Sequence, residues 1–198
     1  MVGQLLDQIR DYYIDYFIDT INEYGETNGG SIFHEVALCK ADGSLATAGV
    51  LGLPVRGDLV VIRDSSGTDS VRIDTDGMLS FEPIEFEWPE NNLVVDLGPF
   101  QWNWMQLRIF GLGNHADWEP IRDWFMGWFQ EEDPEEGELL GGVHFLSDPE
   151  TGNAYSQVSI DLGTAPVESF EELLDALGQM GATKVQFGVF EDICTNIR

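Results

Sequence analysis

Between residues 58 and 110 short apolar runs alternate with tight-turn sequences, and this cadence more than any other feature limits what the chain can fold into. Leu59-Val60-Val61-Ile62 precedes Asp64-Ser65-Ser66-Gly67, and Ser70-Val71-Arg72-Ile73 precedes Asp74-Thr75-Asp76-Gly77. A third strand is expected over 78–88, a fourth over 93–97 after Asn91-Asn92, and a fifth over 102–110. Strands joined by a handful of residues run antiparallel, because a parallel pair needs a crossover of about a dozen or more. The expectation is an antiparallel β-meander.

Helical periodicity brackets this region. Over residues 2–24, Val2, Leu5, Leu6, Ile9, Tyr13, Phe17 and Ile21 recur at three- and four-residue spacing, which predicts a long amphipathic helix. A second helix is expected at about 117–130, with Asp117 as N-cap and Pro120 in its first turn, and a third at about 166–180 after Thr164 and Pro166. Residues 31–39 lie between glycines and read as a strand. Residues 139–146 and 155–162 read as a hairpin around Asp148-Pro149-Glu150-Thr151-Gly152-Asn153, and 183–190 as a closing strand. The fold class is therefore α+β, an antiparallel meander sheet with three helices packed on it. Residues 1–198 are expected to form a single domain. A subdomain division near 111–116 is the alternative, but Gly111-Leu112-Gly113 is short for a linker.

Charge narrows the function. The chain has 36 Asp and Glu against 9 Lys and Arg, a formal net charge of −27. The excess is even, −13 over residues 1–99 and −14 over 100–198, so it is no detachable tail. Direct binding to nucleic acid or an anionic membrane is disfavoured, since both require Lys and Arg against phosphate. A basic protein partner, cations or a high-salt medium are the natural complements. Asp7, Asp11 and Asp15 stand where a signal peptide needs an apolar stretch, and no run of about eighteen apolar residues occurs, so a soluble cytoplasmic protein is expected. The two cysteines, Cys39 and Cys194, lack metal-site spacing and are expected to be buried, inert thiols.

Acidity becomes ordered in the first helix. Asp7, Asp11, Asp15, Asp19 and Glu23 follow strict four-residue spacing, which makes a slowly winding ridge about 24 Å long. Such a ridge can imitate a phosphate backbone or dock in a basic groove. The solvated face of any amphipathic helix in so acidic a chain gives the same pattern. A second acidic run, 131–138, has six carboxylates in eight positions but lacks the alternation and central glycine of a calcium loop. No cofactor and no metal site are expected.

Among the three histidines, His115 near Asp117 is the best candidate for acid–base work, His34 precedes Glu35, and His144 falls inside a strand. No nucleophile elbow, phosphate loop or zinc-protease motif occurs, so the reading leans away from an enzyme. Trp118, Trp124 and Trp128 share a helix and form a candidate aromatic interface, although the same stripe serves equally as core. The leading expectation is a non-enzymatic acidic protein that occupies a basic partner, as an immunity-type inhibitor or nucleic-acid mimic. The alternative is salt adaptation around an unrelated ligand-binding or enzymatic role, consistent with only two lysines, Lys40 and Lys184. The sequence sets no oligomeric state.

Overall fold

The computed structural model describes residues 2–27, 31–63, 67–113, 116–129 and 138–190. Its first element, α1 (Val2–Thr27), buries Leu6, Ile9, Tyr13, Ile14 and Phe17 along one stripe. Strands β1 (Ser31–Ala37), β2 (Thr47–Ala48), β3 (Leu53–Pro54), β4 (Arg56–Arg63) and β5 (Gly67–Val71) follow. Next come β6 (Ile84–Trp88), β7 (Leu93–Leu97) and β8 (Met105–Phe110), then α2 (Glu119–Phe129). The remainder comprises β9 (Phe145–Leu146), β10 (Glu150–Thr151), β11 (Tyr155–Asp161), α3 (Val167–Gln179) and β12 (Lys184–Gly188). The class is α+β with three helices, each beginning and ending within three residues of its expected position.

The sheets depart from the expected meander. β1, β4 and β5 form a three-stranded antiparallel sheet, and β2 pairs with β3. The large sheet runs β10-β11-β8-β12-β7-β6, with β9 also on β11. β12 enters between β7 and β8, parallel to the first and antiparallel to the second, so two strands adjacent in sequence are not neighbours. One face of β12 carries Val185 and Phe187, both almost wholly buried, while Lys184 and Gln186 on the other are half-buried, the alternation that β7 and β8 share, so the three strands present one continuous apolar face to the core.

Several expected strands are shorter than read, 31–39 ending at Ala37 and 102–110 beginning only at Met105, and two are cut back further. Over 78–88 only Ile84–Trp88 pairs, as Pro83, which has no N–H to give to a ladder, immediately precedes it. Residues 139–144 are not a strand at all, although the hairpin kernel around 148–153 is present through β9 and β10 on β11. Their backbone donors go elsewhere: Leu140 to the Glu35 carboxylate, Gly141 to the Thr164 hydroxyl and Val143 to the Trp128 carbonyl at the end of α2.

A single apolar cluster joins these layers. Leu6, Ile9 and Phe17 of α1, Leu107, Ile109, Val185 and Phe187 of the large sheet, and Phe125, Phe129, Phe170 and Leu173 of α2 and α3 all belong to it. Phe170 stacks on Phe100 at 6.1 Å and tilts against Phe187 at 4.7 Å, so α3 sits on the sheet through aromatic contacts. None of the described helices is long and apolar enough to cross a membrane.

Candidate functional site

Four charged residues from four separate segments meet inside this core. The antiparallel register of β1 and β4 sets His34 opposite Leu59 and Val36 opposite Gly57, which brings Glu35 against Asp58. Glu35 has φ of 53°, a left-handed conformation unusual for a side-chain-bearing residue, and is wholly buried. His144 arrives on the irregular stretch before β9, its own N–H donating to the Asp161 carbonyl at 3.0 Å. Asp161 ends β11, and its Oδ1 accepts the Gly163 N–H at 2.8 Å. Gly163 has φ of 53° and passes so close beneath the imidazole that a Cβ there would lie 2.3 Å from His144 Cδ2.

The imidazole is held from both ends. Nε2 lies 2.8 Å from Glu35 Oε1 and Nδ1 lies 2.9 Å from Asp58 Oδ1. Donating to two carboxylates at once requires a proton on each nitrogen, so in this arrangement His144 is an imidazolium. Burial opposes that charge, but the hydrogen bonds to Asp58 and Glu35 and the charges of Asp161 and Asp58 outweigh it and raise its pKa to about 10. Burial likewise opposes ionisation of Glu35. The hydrogen bonds from His144, the approach of His34, the imidazolium charge and the Leu140 N–H prevail and hold that carboxyl well below the usual range. Thr164 Oγ1 also donates to Glu35 Oε1. Arg56, 4% exposed, donates to the carbonyls of Glu35 and Phe129 and lies over the Phe129 ring at 4.9 Å.

Asp161 has the opposite balance. Burial raises its pKa, the His144 charge lowers it, the nearby Asp58 charge raises it again and the Gly163 N–H lowers it, with a net rise to about 7. Asp58 and Asp161 both line a cavity of about 280 Å³ whose walls include Ser70, Arg72, Trp104 and Phe145. Arg72 stacks over Trp104 at 4.4 Å and bonds Asp74 at 2.7 Å. Trp104 and Phe145 stack at 6.4 Å. A carboxyl poised near neutrality at the floor of an aromatic-walled cavity can exchange a proton with a bound molecule or bind a cation.

The residues singled out from sequence are distributed elsewhere. Asp7, Asp11, Asp15, Asp19 and Glu23 are all exposed along α1. Arg10, the one base of that helix, turns inward and donates to the carbonyls of Ala165 at 2.8 Å and Thr164 at 3.0 Å, with its nearest approach to the ridge a 3.8 Å contact to Asp11. Trp124 is buried and donates to the Ser169 carbonyl, Trp128 donates to Glu172, and Trp118 is half-buried against the core. α2 and α3 are thus tied together through two of the three tryptophans. Asp117 caps α2 by accepting the Glu119 N–H at 3.0 Å. His115, Cys194 and residues 131–137 lie outside the described residues. Cys39 is exposed rather than buried, because it sits on an isolated bridge to Leu45 beside the turn at 41–44.

Sequence reasoning missed Glu35, Asp58, His144 and Asp161 as a group. One signal was present: His144 stands between Val143 and Phe145, and Asp161 between Ile160 and Leu162, where an ionisable residue flanked by apolar ones has no reason to stand unless it meets partners.

Fold and site together define an α+β protein with a buried acid–histidine cluster where two sheets meet, beneath a cavity that opens on that cluster. No protein-family model, no curated protein and no solved structure matches the chain.

Proposed function

We propose that the protein is an acidic interaction protein whose α1 ridge docks against a basic partner, in the manner of an immunity-type inhibitor or a nucleic-acid mimic. The observation that carries this reading is the combination of five exposed carboxylates at one-turn spacing with a lone arginine committed inward. Like charges at i,i+4 cost a helix a few tenths of a kcal/mol per pair, so an unneutralised ridge is kept against the helix's own stability. A further set of carboxylates, Asp117, Glu119, Asp123, Glu172 and Asp175, lines the groove between α2 and α3, which extends the negative field beyond α1.

Binding of this kind is fast and salt-sensitive. The test immobilises the wild-type chain and the variant Asp11→Asn, Asp15→Asn, Asp19→Asn, and passes host extract over both at about 0.05 M salt with elution towards about 0.5 M. The expected result is a basic protein retained by the wild type, released by salt and lost with the variant, whose helix content is unchanged. Identical retention on both columns sinks the ridge as a docking site. The alternative, acidity as salt adaptation around another role, is the reading left standing if the wild type retains no basic protein.

A further inference from the structure

We propose that Asp58, His144 and Asp161 form a binding site for one divalent transition-metal ion of the zinc type, with its remaining coordination position facing the cavity beneath Trp104. One donor atom from each of the three residues lies within 4.8 Å of the other two. A tetrahedral dication bound at about 2.0–2.1 Å holds its nitrogen and oxygen donors roughly 3.3 Å apart. Nδ1 of His144 is 2.9 Å from Asp58 Oδ1, so this pair opens slightly to admit the ion while Asp161, within 4.8 Å, closes on it.

Three further features point to an ion. The far nitrogen of His144 is bonded to the buried Glu35 carboxylate at 2.8 Å, the outer-carboxylate arrangement that orients a metal-bound imidazole and increases its basicity. Tyr13, 1% exposed, has a hydroxyl with no hydrogen-bond partner among the described residues, and its ring packs at 5.6 Å on Phe17, which in turn packs at 6.3 Å on the His144 imidazole. A buried hydroxyl without a partner in this layer is open to a molecule bound at the ion. Finally, Glu35, Asp58 and Asp161 put three carboxylates in the interior against two positive charges, Arg56 and the His144 imidazolium, and exchanging one imidazole proton for a dication brings the positive charge to three. On binding, the ion takes the place of the Nδ1 proton of His144, which leaves to solvent. One nitrogen and two carboxylate oxygens suit zinc or manganese rather than a thiol-seeking ion.

This site is independent of the α1 ridge, and its test treats the ridge as the control. The full chain, freed of metal with a chelator, is titrated with Zn²⁺ in about 1 M KCl, where screening removes ions held loosely by exposed carboxylates. One Zn²⁺ per chain is expected by equilibrium dialysis with elemental analysis. Asp161→Asn, which still accepts the Gly163 N–H, and Asp58→Asn each remove a ligand and should lower affinity by more than the roughly ten- to a hundredfold that losing an outer partner such as Glu35 costs. The triple variant Asp11→Asn, Asp15→Asn, Asp19→Asn should bind as tightly as the wild type. Co²⁺ in the wild-type chain gives a reading that needs no mutation, the intense visible absorption of a four- or five-coordinate ion. Fewer than one ion per chain at high salt, Co²⁺ showing only the weak spectrum of its hydrated form, or undiminished zinc affinity in a folded Asp161→Asn variant would each overturn the proposal.

Discussion

At Gly163 two demands coincide, a positive φ and the absence of a Cβ under the imidazole of His144. An alanine there would press on the ring that Glu35 and Asp58 hold in place and would adopt a backbone conformation that a side chain disfavours. Gly163→Ala is expected to cost about 1–3 kcal/mol, the range for forcing extra volume into a packed interior. It should appear as a lower urea midpoint with an unchanged slope. Glu35 presents the converse case, a side chain placed where glycine would be the unstrained choice. Its carboxylate accepts from His144, Thr164 and the Leu140 N–H, and this set of bonds offsets a backbone cost of about 1–3 kcal/mol. The strained residue and the buried cluster are therefore one feature.

Helices were the elements most legible in the sequence, because a 3.6-residue apolar period is local and survives without knowledge of partners. α1, α2 and α3 were each readable from their own residues. Strand existence was nearly as legible, but strand order was not. Nothing within Leu93–Leu97 or Met105–Phe110 reveals that Lys184–Gly188 will separate them, since pairing joins Lys184 to Val94 on one side and to Phe110 on the other, far along the chain. The acid–histidine cluster was hidden for the same reason. Its members come from β1, β4, the stretch before β9, and the end of β11, and no spacing rule links them. Arg10 illustrates how an element is fixed by such distant contacts. As the lone base of α1 it reads as a partner for the acidic ridge, yet it fastens α1 to the chain entering α3. Arg10→Ala should therefore destabilise by about 1.5–3 kcal/mol, as expected for lost hydrogen bonds from a charged donor. Loss of a surface ion pair alone would cost about 0–1 kcal/mol. Thermal unfolding of the variant distinguishes the two.

Across the whole molecule the dominant fact is a net charge of −27. Self-repulsion of that size opposes the compact state and is relieved by salt. The unfolding midpoint should rise as KCl is raised from about 0.01 to 0.2 M, over which the screening length falls from about 30 Å to under 10 Å. A plateau thereafter is expected of simple screening. A continued rise into molar KCl would instead favour salt adaptation over a ridge held in readiness for a basic partner.

The placement of β12 bears on how the protein is made. Synthesis proceeds from the N-terminus, so β7 and β8 leave the ribosome long before Lys184–Gly188 exists to fill the gap between them. Until then each presents an unpaired edge of backbone donors and acceptors, the form in which strands recruit other chains. The large sheet cannot close progressively; it closes in one late step, when a strand slots into its middle. The nascent protein must be kept from its neighbours until that strand arrives, and the mutual repulsion of chains that each carry a net charge of −27 acts in that direction.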